Sequence, residues 1–446
     1  MPRRRNARRT QPKTSASRAS HSAEPDIAGV QRRTVRALAS AQIIGTVGIG
    51  VIPTVGVLLA GEITDSDVWA GLARAGSTVG AALAGVPLAL LAARSGRNRA
   101  LSTGWAVAAI GAALLVMAAQ QDSATALFIG LLLTGAGTAA QFQARFAATD
   151  LAGPAHSGRA LATVVWVGSI GSMLGPNLGT PGAALAESAG LAPLGGAFVF
   201  AAVALAAAAV LTTLLLRPDP LLAARHHARS TPTDARGDQG RGLGATANPS
   251  GRFRDGFRVL AAHGTARTAF LAVVSAQVVM VAIMTMTPVH LAGHGDGLTV
   301  IGLTISLHIV GMYALAPVAG WVTDRAGAPS AILVGLVLFA GSFVAAVAGQ
   351  SSTALVTTAL VLLGLGWSFM SVAGSSWLSA SVPDAARPSI QGLADASSHL
   401  AAATGAFLAG PLMAAVGFDG LSLVAAATLL PVCASLVRRS LRRAAA

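Results

Sequence analysis

Residues 40–61 read SAQIIGTVGIGVIPTVGVLLAG, and residues 275–293 read SAQVVMVAIMTMTPVHLAG. Each stretch opens on Ser-Ala-Gln, closes on Leu-Ala-Gly and carries no charge between. Outward from these two anchors the chain keeps repeating. Arg94-x-Gly96 returns as Arg325-x-Gly327, and Gly135-x-Gly137 returns as Gly364-x-Gly366. Gln277 follows Gln42 by 235 residues, Arg325 follows Arg94 by 231, and Gly366 follows Gly137 by 229. A period this steady over most of the chain implies two related halves in the same order.

The composition places both halves in lipid. The chain is 53% hydrophobic and only 11% charged, with a mean hydropathy of +0.65. A soluble domain carries roughly a quarter of its residues charged. A helix needs about 20 apolar residues to cross the hydrocarbon core. Twelve stretches meet this: about 37–61, 67–92, 99–119, 124–147, 158–180, 190–216, 268–292, 297–322, 329–349, 353–378, 388–416 and 418–437. The expected fold is an all-α polytopic membrane protein with twelve transmembrane helices in two pseudo-symmetric six-helix bundles. Parallel halves of this kind imply a transporter with its substrate site between them.

The expected divisions are a disordered basic tail over 1–36, a first bundle over 37–216, a linker over 217–267, a second bundle over 268–437, and a basic tail over 438–446. The linker is rich in Arg, Gly, Pro, Ser and Thr, with 253–263 the one segment expected to form an amphipathic surface helix.

The net charge of +14 raises the question of nucleic acid, and its distribution answers it. Six alternate loops carry Glu62, Asp65, Asp67, Asp122, Glu187, Asp296 and Asp419, and no Lys or Arg. The opposite side holds the Arg-rich N-terminus, Arg94, Arg97 and Arg99, the linker, Arg325 and the cluster from Arg438 to Arg443. This positive-inside bias implies a multi-pass protein of the plasma (inner) membrane with both termini cytoplasmic. The basic surplus also attracts anionic head groups of the bilayer, and no nucleic-acid partner is expected. Cys433 is the only cysteine, so no intrachain disulfide forms. No G-x-x-x-x-G-K-[ST] occurs, so transport is expected to be downhill or ion-coupled.

The 6+6 duplication resembles the major facilitator superfamily across all twelve spans. The marker of that family, G-x-x-x-D-R-x-G-R-[RK] between spans 2 and 3, is matched by Arg94, Gly96 and Arg97. Ala89 and Ala93 replace its Gly and Asp. The second half keeps the missing part as Gly320, Asp324, Arg325 and Gly327. The resemblance implies that these residues help lock one end of the two halves together, with Asp395 in span 11 assigned to the same gate. Span 5 carries Gly171, Gly175, Pro176 and Gly179, which resembles the G-x-x-x-G-P-x-x-G-G signature of drug/proton antiporters and is expected to act as a hinge. A plain packing face has the same pattern.

Span 7 holds Met280 and Met284, and span 8 holds His308 and Met312. Each pair is four apart and shares a helix face. Thioether and imidazole suit Cu(I), a soft ion. The M-x-x-x-M and H-x-x-x-M pairs resemble the CcoA-type copper importers, which implies that these four residues bind copper as cargo. No cofactor is expected. Packing methionines and a hydrogen-bonded core histidine produce the same pattern. Gln42, Gln277, Gln141, Gln143 and Arg145 complete the candidate cavity.

The expected function is secondary transport of a small solute or metal ion by alternating access, copper import being the sharpest form. Proton-coupled efflux of an organic solute and a non-transporting membrane sensor are the alternatives. No constellation for catalysis appears in the spans, so no enzyme is expected.

Overall fold

The structure, a computed structural model, describes residues 27–152, 157–230, 257–258, 260–349, 351–383 and 387–444. Eleven continuous helical stretches among them are long and apolar enough to cross a membrane. The last of these, Leu393–Arg439, is 47 residues long. At 1.5 Å per residue that is roughly twice the thickness of a hydrocarbon core. Gly417, at φ 74° and ψ 179°, breaks it into spans 11 and 12. The described chain therefore crosses twelve times.

Spans 1 to 6 run Ile27–Thr64, Asp67–Ser95, Arg97–Gln121, Ala124–Ala147, Ser157–Ala189 and Gly195–Leu215. Span 7 is Gly264–Gly293, span 8 is Leu298–Ala326, span 9 is Ala328–Ala348 and span 10 is Thr353–Ala380. Span 8 is interrupted at Ala314 and Leu315. The acidic loops all fall at one end of the bundle, the acidic end. The basic turns fall at the other, the basic end.

Three boundaries differ from expectation. Helix begins at Ile27 rather than near residue 37, so residues 27–36 extend span 1 beyond the apolar stretch. Arg32, Arg33 and Arg36 are exposed on this extension, where a helix leaving the hydrocarbon keeps its own hydrogen bonds and needs no apolar surface. The linker opens with a helix, Pro220–Ser230, where none was anticipated. Asp219 precedes Pro220 and accepts from Leu221 N and Leu222 N at 3.0 and 3.1 Å, a helix start that the Arg-rich composition hid. The end of the chain is helical too, over Leu430–Ala444. Residues 1–26 and 231–256 lie outside the described residues.

Lipid gives little hydrophobic drive between helices, so close approach must hold them together. Span 2 meets span 4 through Gly80 and Gly135; a methyl on Gly135 would run into Ala81 N. Span 1 meets span 5 through Gly171, where a methyl would run into the Ile43 carbonyl oxygen. Both helices are broken just beyond that crossing. Span 1 passes through a π-turn at Ile52–Gly56 containing Pro53, and span 5 through a 3₁₀ turn at Gly175–Leu178 containing Pro176. The breaks adjoin: a methyl on Gly175 would sit 2.5 Å from the Gly50 Cα.

Each half has its own core. Trp105, Phe198, Leu115 and Leu131 are buried in the first; Phe339, Ile283 and Ile305 are buried in the second.

Candidate functional site

At the acidic end the two halves are joined across spans 5 and 8, and a cleft of about 520 Å³ remains between the ends of spans 1, 7 and 11. Asn177 Nδ2 donates to Ser306 Oγ at 2.7 Å, and Ser306 Oγ donates to the Met173 carbonyl at 2.6 Å. Thr180 Oγ1 and Thr299 Oγ1 lie 2.7 Å apart. Gly302 packs on Pro176, where a methyl would lie 2.5 Å from the carbonyl oxygen. Gly71 packs on Gly410 in the same manner, a methyl there lying 2.7 Å from Gly410 N. Of the predicted hinge residues, Gly171, Gly175 and Pro176 shape span 5 against span 1 and span 8, and Gly179 touches Leu298 of span 8.

The basic end is joined more loosely. Arg145 Nη2 lies 4.0 Å from Asp395 Oδ2, and the Asp395 side chain is 69% exposed. One turn deeper, the rings of Phe142 and His399 meet at 5.0 Å. The predicted gate residues of the two repeats are not brought together. Arg97 pairs with Asp150 at 2.8 and 3.3 Å, within its own half. Arg94 is exposed; so are Asp324 and Arg325, the latter over the Trp321 ring at 5.6 Å. The two turns nonetheless share one backbone shape, with Gly96 at φ 92° and Gly327 at φ 84°. Only glycine holds such a φ without strain.

Between these ends lie the candidate cavity groups. Gln42 is buried and donates through Nε2 to the Gln141 carbonyl at 3.2 Å. Both amide nitrogens lie within 4 Å of the space left by the missing side chain of Gly168. Gln42 Oε1 is buried with no partner. Gln143 turns away from this group, donating to the Gly85 carbonyl of span 2 at 3.2 Å. Opposite, Trp367 Nε1 donates to Gln277 Oε1 at 2.8 Å, and Tyr313 lies edge-on to Trp367 at 6.1 Å.

Met280, Met284 and Met312 are buried in one apolar cluster. Counted at 1.5 Å per residue, Met284 and His308 lie about 14–15 Å from the acidic ends of their helices, and Met280 and Met312 about 20 Å. The two pairs therefore form rungs of similar depth. His308 is wholly buried, and its ring is turned to span 10, Nδ1 lying 2.8 Å from the Leu360 carbonyl oxygen. A carbonyl only accepts, so Nδ1 carries the proton. Nε2 is left buried with no partner.

The sequence reading missed Asp150, Asp219, Trp367, Phe142 and His399. Asp219 has the plainest signal, an Asp-Pro step after span 6; its carboxylate meets Asn98 N at 2.7 Å.

Comparison with known proteins decides the family. The profile of the Major Facilitator Superfamily matches residues 38–298 and 268–445. The chain is 35% identical over 412 residues to YddS of Bacillus subtilis (strain 168), an uncharacterised MFS-type transporter, covering 92% of each.

This chain belongs to the Major Facilitator Superfamily.

It is also 28% identical over 391 residues to the riboflavin transporter RfnT of Brucella anthropi, spanning 87% of this chain and 91% of that protein. Its fold is that of the nucleoside transporter NupG, with a TM-score of 0.67 at 15% identity over 91% of this chain and 98% of the other. It is a multi-pass membrane transporter of the secondary class. In superfamily terms, the joined acidic end and the more loosely joined basic end are the two sides between which such a protein alternates.

Proposed function

We propose that this transporter carries Cu(I) inward through the second half of the molecule, with Met280, Met284, His308 and Met312 as its ligands. The observation that carries this reading is the state of His308. Its Nδ1 proton is committed to the Leu360 carbonyl, and the lone pair of Nε2 is left buried and unused. Metal-binding histidines are held in this way, one nitrogen fixed by a carbonyl and the other left for the metal. Three thioethers occupy the same two depths, and soft sulfur favours a soft monovalent ion. Apart from Asp395, near the basic end, the described carboxylates lie at the ends of the spans or beyond them, so the centre offers little to a hard cation. In this reading the basic end faces the cytoplasm. A coupling proton would pass through Asp395 and His399, which border the basic mouth.

Cellular copper tests the reading. Wild type should raise copper accumulation over a deletion strain. Met284→Leu and His308→Ala, at equal expression, should lower the gain by at least about tenfold, since even a group that only supports a metal ligand is worth that much. Equal accumulation in all strains would end the copper proposal.

A second reading rests on Trp367, Gln277 and Tyr313. An indole, a phenol ring and a fixed amide at mid-span suit a planar heterocyclic solute, and the relative RfnT is a riboflavin transporter. Riboflavin uptake that survives His308→Ala and is lost in Trp367→Leu would favour it over copper.

A further inference from the structure

A cleft of about 390 Å³ opens at the basic end, bordered by Arg94, Asn98, Arg99, Arg217, Asp219 and Leu222. Three guanidinium groups border it and only one carboxylate. That carboxylate is already engaged, since Asp219 accepts from Asn98 N at 2.7 Å and from Leu221 N and Leu222 N at 3.0 and 3.1 Å. Asn98 is held as well, its Nδ2 donating to the carbonyls of Thr212, Thr213 and Leu216 at 2.9–3.1 Å. These bonds fix the floor of the cleft. Arg217 Nε is tied back to the Thr213 carbonyl at 3.0 Å, while Arg94 and Arg99 are exposed and make no ion pair among the described residues. The cleft is thus a preformed cradle with a surplus of positive charge.

Its position selects the ligand. Span 3 starts at Arg97, so the cleft lies at the level where the bundle leaves the hydrocarbon. Beside it, Leu214 and Leu215 at the end of span 6 are 61% and 48% exposed, and Leu222 on the linker helix is 43% exposed. Exposed leucines at this height border acyl chains rather than water. A ligand with an anionic head and an apolar tail satisfies both parts of the surface.

We propose that this cleft binds the phosphate head group of an anionic phospholipid, the arginines holding the phosphate and the leucines the upper acyl chain. The bound lipid then bridges the turn between spans 2 and 3 to the start of the linker.

The test uses the full chain in detergent, with phosphatidylglycerol or phosphatidylcholine added, and counts retained lipids by native mass spectrometry. Wild type should retain phosphatidylglycerol in preference to phosphatidylcholine. The triple variant R94Q/R99Q/R217Q should bind the tightest phosphatidylglycerol roughly a hundredfold more weakly, at about fivefold per basic side chain. Unchanged melting of the variant in phosphatidylcholine nanodiscs separates this from misfolding; if it melts lower, R99Q alone, off the structural contacts, should still bind phosphatidylglycerol more weakly. Equal retention by wild type and R99Q would overturn the proposal. So would stabilisation of wild type by inorganic phosphate alone as large as that by phosphatidylglycerol, which would assign the cleft to a free anion.

Discussion

Asp219 shows how one side chain can serve two helix starts. The repeated turn keeps its aspartate only in the second half, at Asp324, and carries Ala93 in the first. In the folded chain Asp219 fills the space beside Gly96, where any added methyl would meet its carboxylate, and caps the N-terminus of span 3. The same carboxylate starts the linker helix. Removing it leaves N–H groups at two helix starts without their acceptor. Asp219→Ala should therefore cost about 2 kcal/mol, near 1 for each cap. Asp219→Asn, which still accepts, should lose less. Melting of the purified variants checks this; equal melting of Asp219→Ala and wild type would remove the double cap from the account.

At the scale of helices, glycine decides where the halves touch. Gly302 lets span 8 close on Pro176 of span 5, and Gly71 lets span 2 close on Gly410 of span 11. A side chain there meets backbone, which cannot rotate away. Gly302→Val should hold the acidic end apart and shift the population toward the state open at that end. In a Cys433→Ser background, a cysteine at Ser306 should then react faster with a water-soluble maleimide than it does with Gly302 intact. Unaltered labelling would mean the contact bends without opening. The helices themselves were legible from their apolar lengths, and the repeat gave their order. What the sequence hid was the helical extension from Ile27, the linker helix and the direction of side chains. Gln141 and Gln143 are two apart in one span, yet one adjoins Gln42 and the other faces span 2. Met280, Met284 and Met312 could be grouped from spacing alone, whereas the turn of His308 toward Leu360 depends on span 10, which no local pattern encodes.

For the whole molecule, transport requires that the joined acidic end come apart while the basic end closes. The contacts that hold it shut are of two kinds: hydrogen bonds, which contribute only about 1 kcal/mol each net, and apolar packing of Leu58, Ala75 and Met173 on the second half. Opening must draw on a difference in binding energy between the two states. Thr180 and Thr299 provide a direct way to forbid it. They lie on spans 5 and 8, from opposite halves, and their Oγ1 atoms are 2.7 Å apart. Two γ-sulfurs placed there are close to the bonding distance of about 2.05 Å. With Cys433→Ser to remove the native thiol, oxidation of Thr180→Cys/Thr299→Cys should join the halves and stop substrate flux in proteoliposomes. A reductant should restore it. Either single cysteine variant should transport with and without oxidant. If the oxidised, fully cross-linked protein still moves substrate at the wild-type rate, then separation of spans 5 and 8 is not a step of the cycle, and the rocking of one half against the other must be replaced by a smaller local motion.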